Sequence, residues 1–162
     1  MKKNRGFTLI ELLVVIGVIA ILAAIVLVAV NPGRQFANAR DTQRQSDLYA
    51  ITNAIYQYVA EHNGNLPDIL DASGAVITAF PTTPTCIGSG THPTTGAACF
   101  DLAIAGGEEP IVPTYIAEIP HDPNLTVNFD AYTGYSVFAD ANQRVTATAS
   151  GELTGGTITV RR

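Results

Sequence analysis

Hydrophobic residues are distributed very unevenly along the chain. Residues 12–30, LLVVIGVIAILAAIVLVAV, carry no charged or strongly polar side chain over about 19 positions, and residues 7–10 extend the run to about 24. As a helix rising about 1.5 Å per residue, that run covers roughly 36 Å. A hydrocarbon core about 30 Å thick is therefore within its span. After Asn31-Pro32-Gly33 the pattern changes. Phe36 is isolated, whereas Leu48, Ile51, Ile55, Tyr58 and Val59 recur at steps of three and four, which is one face of an amphipathic helix. Asn63-Gly64 supplies a stop, because glycine readily takes the left-handed conformation found past helix ends. Arg40, Asp41, Arg44 and Asp47 alternate in sign on the polar side and are expected to be solvated.

From residue 65 to about 113 neither period is evident, and Pro81, Pro84, Pro93, Pro110 and Pro113 punctuate the stretch. A long irregular connection is expected there. Strand patterns follow at residues 125–129, 135–138, 144–147 and 157–160, with Asp140-Ala141-Asn142 forming a turn between the second and third. The outcome expected is an α+β fold: a long N-terminal helix, apolar then amphipathic, packed on an antiparallel sheet of three or four strands. The segments are a leader at 1–6, a membrane or assembly helix at 7–30, its amphipathic continuation at 31–64, and a globular head at 65–162. Pro32 and Gly33, which lower helicity, mark the expected break.

Charge and composition narrow the function. Only 14% of residues are charged, and the formal net charge is -5. Setting aside Lys2, Lys3 and Arg5 leaves -8 on the remainder, so the body is acidic. That argues against a nucleic-acid-binding surface, which needs clustered cations to displace counterions. His62, His92 and His121 have no metal-ligand spacing, no nucleophile motif surrounds any serine, and all three histidines read as surface residues. No calcium-loop pattern occurs around Asp122, Asp130 or Asp140. No catalytic site, metal or cofactor is expected. Cys86 and Cys99 favour a disulfide, and so an oxidising compartment. The alternatives are weaker, since a metal site needs two further ligands and a redox pair is usually C-x-x-C.

One residue is at odds with a passive membrane anchor. Glu11 lies between Ile10 and Leu12, and a charge inside a spanning helix costs about 2.5–3.5 kcal/mol at mid-bilayer and less near the interface. No cation lies in the apolar run after it. Its partner must come from the leader, from another chain, or from a newly made amino terminus. No small-residue cleavage site follows the run, so the run is expected to be retained.

Gly6-Phe7-Thr8-Leu9-Ile10-Glu11, behind MKKNR and ahead of LLVVIGVIAILAAI, resembles the processing motif of type IV prepilins and pseudopilins. The resemblance covers about the first 30 residues. It implies cleavage between Gly6 and Phe7 by a membrane-embedded prepilin peptidase, methylation of the new Phe7 amine, and pairing of Glu11 with the Phe7 amine of a neighbouring copy. It further implies a structural, non-enzymatic filament subunit whose partners are copies of itself or related pilins and a membrane assembly platform. A minor pilin serving adhesion or DNA uptake, and a secretion-system pseudopilin, are alternatives of the same family. The chain departs from common members in having no proline inside the apolar run and in placing its cysteine pair before the sheet. The denser leader charges and the cysteine pair favour the leader inside the cytoplasm and the body outside, although Arg34, Arg40 and Arg44 nearly balance a simple count.

Overall fold

The computed structural model describes residues 6–126, 128–153 and 155–162, so the expected leader, apart from Gly6, lies outside the described residues. The chain divides into two compact units, Met1–Ala37 and Asn38–Arg162.

In the first unit α1 runs over Leu9–Val30 and α2 begins at Pro32. Thr8 caps α1, and no residue of α1 is buried. Its Leu, Ile, Val and Ala side chains are apolar on every side, so the helix has no polar face to turn toward water. Its mean hydropathy over 18 residues is 3.4, and it is long enough to cross a membrane. In that setting a helix suits the backbone, because every peptide group must be satisfied within the segment. The helical path is interrupted at Asn31, which adopts a left-handed φ of 45°. The expected break thus falls on Asn31 rather than on Pro32 and Gly33, which begin α2 (Pro32–Glu61). Proline suits the first helical position, where its missing N–H would lack a partner anyway. Asn31 caps the new helix, its Oδ1 accepting from the Arg34 N–H at 3.4 Å.

In the second unit α2 buries Leu48, Ile51, Thr52, Ala54, Ile55 and Tyr58. These join a core with β4 (Tyr135–Ala139), β5 (Val145–Ser150) and β6 (Thr157–Arg161). The inward positions of β4 and β5 are Tyr135, Val137, Ala139, Val145, Ala147 and Ala149. Five of these six are alanine or valine, the exception being Tyr135 at the start of β4, and such short side chains leave room for the large helix residues. Full burial of each Leu or Ile stabilises the fold by about 1.5–3 kcal/mol. The sheet is antiparallel in the order β3-β4-β5-β6, with Val137 opposite Ala147 and Ala147 opposite Val160. The helix ends as the Asn63-Gly64 signal predicts: the Gly64 N–H bonds to the Val59 carbonyl at 2.9 Å, with Gly64 at φ 88°.

Two expectations are corrected. Residues 65–113 are not structureless: they form a hairpin of β1 (Ile69–Leu70) and β2 (Val76–Thr78), and then β3 (Thr85–Cys86). Asp71 closes the hairpin by accepting from the N–H groups of Ser73 and Ala75. Phe80, Ile87, Phe100, Leu102 and Ile111 from this stretch enter the core. The fourth strand of the main sheet is β3, not residues 125–129. Asn128 takes φ 57°, and its carbonyl accepts from Ala131 and Tyr132, which curls that segment into a turn. Val127 lies outside the described residues. A helical turn at Ile111–Thr114 completes the unit.

Candidate functional site

Gly6 and Phe7 precede α1 in non-helical, exposed backbone, with the Phe7 side chain 83% exposed. A side chain at Gly6 would meet nothing within 4 Å. Neither residue is therefore held by packing among the described residues. Thr8 and Glu11 form a reciprocal cap over the first turn of α1. The Glu11 N–H bonds to Thr8 Oγ1 at 3.3 Å, and Glu11 Oε2 accepts from the Thr8 N–H at 2.9 Å and the Thr8 hydroxyl at 2.8 Å. A carboxylate here also faces the positive end of the helix dipole. Glu11 is thus positioned on the first turn, four residues from Phe7, with its charge shared by two donors instead of exposed bare to hydrocarbon.

A second constellation, in the Asn38–Arg162 unit, has no counterpart in the sequence pattern. Arg44 is 2% exposed and Asp47 7%, so the solvated reading of the α2 charges is wrong for both. Arg44 makes a two-pronged pair with Asp122, Nε to Oδ2 and Nη2 to Oδ1, both at 2.8 Å. Its Nη1 contacts Asp41 Oδ1 and Glu152 Oε1, both at 2.7 Å. Arg40 adds two bonds to Glu152, at 2.8 and 2.5 Å. Asp41 in turn accepts from the N–H groups of Glu152 and Leu153. The cluster fastens α2 to the loop around Asp122 and to the β5–β6 connection. Planar guanidinium donors matched to carboxylates make strong, directional pairs.

Electrostatics follow from these contacts. The bond from Arg40, joined by Arg44, holds the Glu152 carboxyl down at about 2. Burial pushes Asp41 upward, but the N–H groups of Glu152 and Leu153 and the Arg44 guanidinium outweigh it and keep the carboxyl below its ordinary value. The Asp122 bond, against the opposing effect of burial, raises Arg44. Beside this cluster the Tyr135 hydroxyl donates to Asp47 Oδ2 at 2.7 Å, and Gln43 donates to Oδ1. Burial, then the Asp47 bond, drives Tyr135 far above the ordinary tyrosine range.

The histidines are dispersed. His62 stacks on Tyr58 with centroids 3.8 Å apart, His92 meets Tyr132 edge-on, and His121 stacks on Phe129. His121 is exposed, and the other two are half-buried. Asp140 caps the turn as expected, accepting from the N–H groups of Asn142 and Arg144. Among the described residues no group of three His, Cys, Asp or Glu side chains is placed to hold a metal. Cys86 and Cys99 form a disulfide.

Arg44 carried one legible signal: it lies four residues before Leu48 and seven before Ile51, on the buried face. Its carboxylate partner Asp122, 78 residues away, had none.

No curated protein and no solved structure matches the chain significantly. A family model described as the prokaryotic N-terminal methylation motif matches residues 1–27, the segment that contains the Gly6–Phe7 junction, Glu11 and most of α1. The N-terminus of this chain therefore carries the signature of type IV prepilins and pseudopilins, on an α+β body headed by a long apolar helix.

Proposed function

We propose that the chain is a structural subunit of a type IV pilus or pilus-like filament. The observation that carries this reading is Glu11, a single carboxylate on the first turn of an otherwise apolar helix, four residues after an exposed Gly6–Phe7 junction. Prepilin peptidase cuts between Gly6 and Phe7 and methylates the Phe7 amine. A non-helical, exposed junction suits a peptidase that must draw backbone into its own site. The methylated amine keeps its positive charge, and Glu11 of an adjacent copy neutralises it in the dry interior of the filament. Before assembly the Thr8 cap lowers the cost of holding Glu11 at the membrane.

The same helix acts twice, first as a single-pass anchor with the body outside the cytoplasm and then as the filament core. Residues 7–30 form that helix, residues 31–64 its continuation, and residues 65–162 the head with its Cys86–Cys99 staple. The partners are copies of this chain or related pilins, the peptidase and a membrane assembly platform. Identical units added head to tail with a non-closing rotation give an open filament.

The test is mass spectrometry of the natively produced protein together with electron microscopy of sheared surface material. The expected mature chain begins at methylated Phe7, and Glu11→Ala leaves it processed and membrane-bound but without filaments. Retention of Met1, or wild-type filament yield from Glu11→Ala, refutes the reading. Trace abundance in purified filaments assigns a minor subunit instead of the major one.

A further inference from the structure

A groove of about 310 Å³ lies on the head, with Val112 and Ile119 in its floor and His121 stacked on Phe129 as one wall. Glu118 and Asp130 stand on its rim, both exposed and neither paired with a cation among the described residues. An apolar floor, an aromatic face and two free carboxylates complement one kind of group, a planar cation on an apolar stem. Arginine fits this description better than lysine, because its guanidinium stacks on rings while its edge pairs with carboxylates.

The chain itself carries such a group. Its nine Lys and Arg residues include Lys2, Lys3 and Arg5, all ahead of the Gly6–Phe7 junction. Arg34 belongs to the Met1–Ala37 unit and not to the head, Arg40 and Arg44 are engaged in the cluster on α2, and Arg144 pairs with Asp140 at 2.8 Å. Arg161 and Arg162 are exposed and have no carboxylate partner among the described residues. Their backbone is fixed: the Arg162 N–H bonds to the Val145 carbonyl at 3.2 Å. The Tyr56 hydroxyl accepts from the Val145 N–H at 3.0 Å and donates to the Arg162 carbonyl. They lie at the end of β6, an edge strand with one side unpaired. The backbone that carries them is held in place, which limits the entropy lost on docking; their side chains leave the strand end on opposite faces, that of Arg161 reaching Thr146 Oγ1 at 3.5 Å.

We propose that the Phe129–His121 groove of one copy receives the Arg161–Arg162 edge of a second copy, forming a contact between the globular heads of neighbouring subunits. The contact rests on the filament reading for its setting and adds a specific pair of surfaces to it. Each copy offers one groove and one arginine pair, so the contact propagates from copy to copy. In an acidic head it also joins free cations to free carboxylates instead of adding like charges.

The experiment uses the full chain, natively processed. In Arg161→Glu/Arg162→Glu the filament yield should fall about tenfold or more, because like charges meet at the rim. Adding Glu118→Arg and Asp130→Arg to that variant should restore it. An unchanged thermal unfolding midpoint shows that each variant is folded, and a normal Phe7 terminus shows that processing is intact. Independently, Arg162→Lys gives the mature chain its only lysine. A zero-length carbodiimide reagent should then join position 162 to Glu118 or Asp130 of another copy. Filaments that form without this link, at wild-type yield in the charge-reversed variant, overturn the contact and leave the filament reading standing. The link in copies that never form filaments keeps the contact and removes that reading. Neither filaments nor link removes both.

Discussion

Replacing Arg44 with leucine should be among the most damaging single changes to the head. The substitution removes one cation from three carboxylates, Asp41, Asp122 and Glu152, and leaves Arg40 alone to face them. Breaking a buried pair by deleting one partner costs about 3–5 kcal/mol, because the remaining charge loses both its hydration and its counter-ion. Here the carboxylate side chains keep 18%, 11% and 24% of their exposure, so some hydration returns. Asp41 also retains its bonds from Glu152 and Leu153. The cost should therefore fall to about 2–4 kcal/mol. For a unit of this size that is a drop of about 10 °C in unfolding midpoint. Arg44→Lys keeps the charge but not the fork to Asp122, and should lie between wild type and leucine. The measurement is thermal unfolding of the detergent-solubilised full chain followed by near-ultraviolet circular dichroism. A midpoint for Arg44→Leu within about 1 °C of wild type would show that Arg44 contributes no net stability and would refute the reasoning.

Acid should weaken the same cluster. Glu152 at about 2 and the lowered Asp41 are depressed in the folded state, so in acid the unfolded chain binds the extra protons. Their contribution is complete above the ordinary carboxyl value of 4.5 for Glu152 and is lost between that pH and about 2; a head whose midpoint is flat across this window contradicts the assignment. Removing the disulfide with Cys86→Ala/Cys99→Ala should cost roughly 3 kcal/mol for a loop of this length, read as a shifted denaturant midpoint. Gly88→Ala should prevent normal folding of the loop, since its Cβ would lie 2.4 Å from the Ala131 carbonyl oxygen at a φ of 149°; a soluble variant with the wild-type midpoint would show that this approach relaxes easily.

Sequence pattern revealed the parts of this molecule that rest on composition and local spacing. The apolar run at α1 is unambiguous because nothing polar interrupts it, and Glu11 is conspicuous for the same reason. The β4, β5 and β6 strands follow from alternation around the Asp140-Ala141-Asn142 turn. The α2 face from Leu48 onward is readable, but Arg44 reads as a solvated charge, because its burial depends on Asp122 and Glu152 from distant loops. Residues 125–129 alternate as a strand does, yet Asn128 turns the chain back. At two residues, β3 is too short to show any period, and its place in the sheet comes from pairing with β4. The Phe129–His121 groove likewise joins residues that no local pattern links.

The apolar surface of α1 beyond Glu11 sets a condition on any route by which a subunit anchored as proposed would leave a bilayer. Its large side chains from Leu9 to Val30 are about half exposed or more. At about 1.5–3 kcal/mol for each such group fully withdrawn from water, immersing the helix would cost on the order of 20 kcal/mol or more. That exceeds the roughly 5–15 kcal/mol that holds a typical domain folded. A subunit adrift in water would sooner aggregate than wait for a partner. On the filament reading proposed above, transfer must therefore be a direct exchange of one oily surrounding for another, and a subunit shed from the base of a filament would return to lipid, which makes the membrane a reusable store.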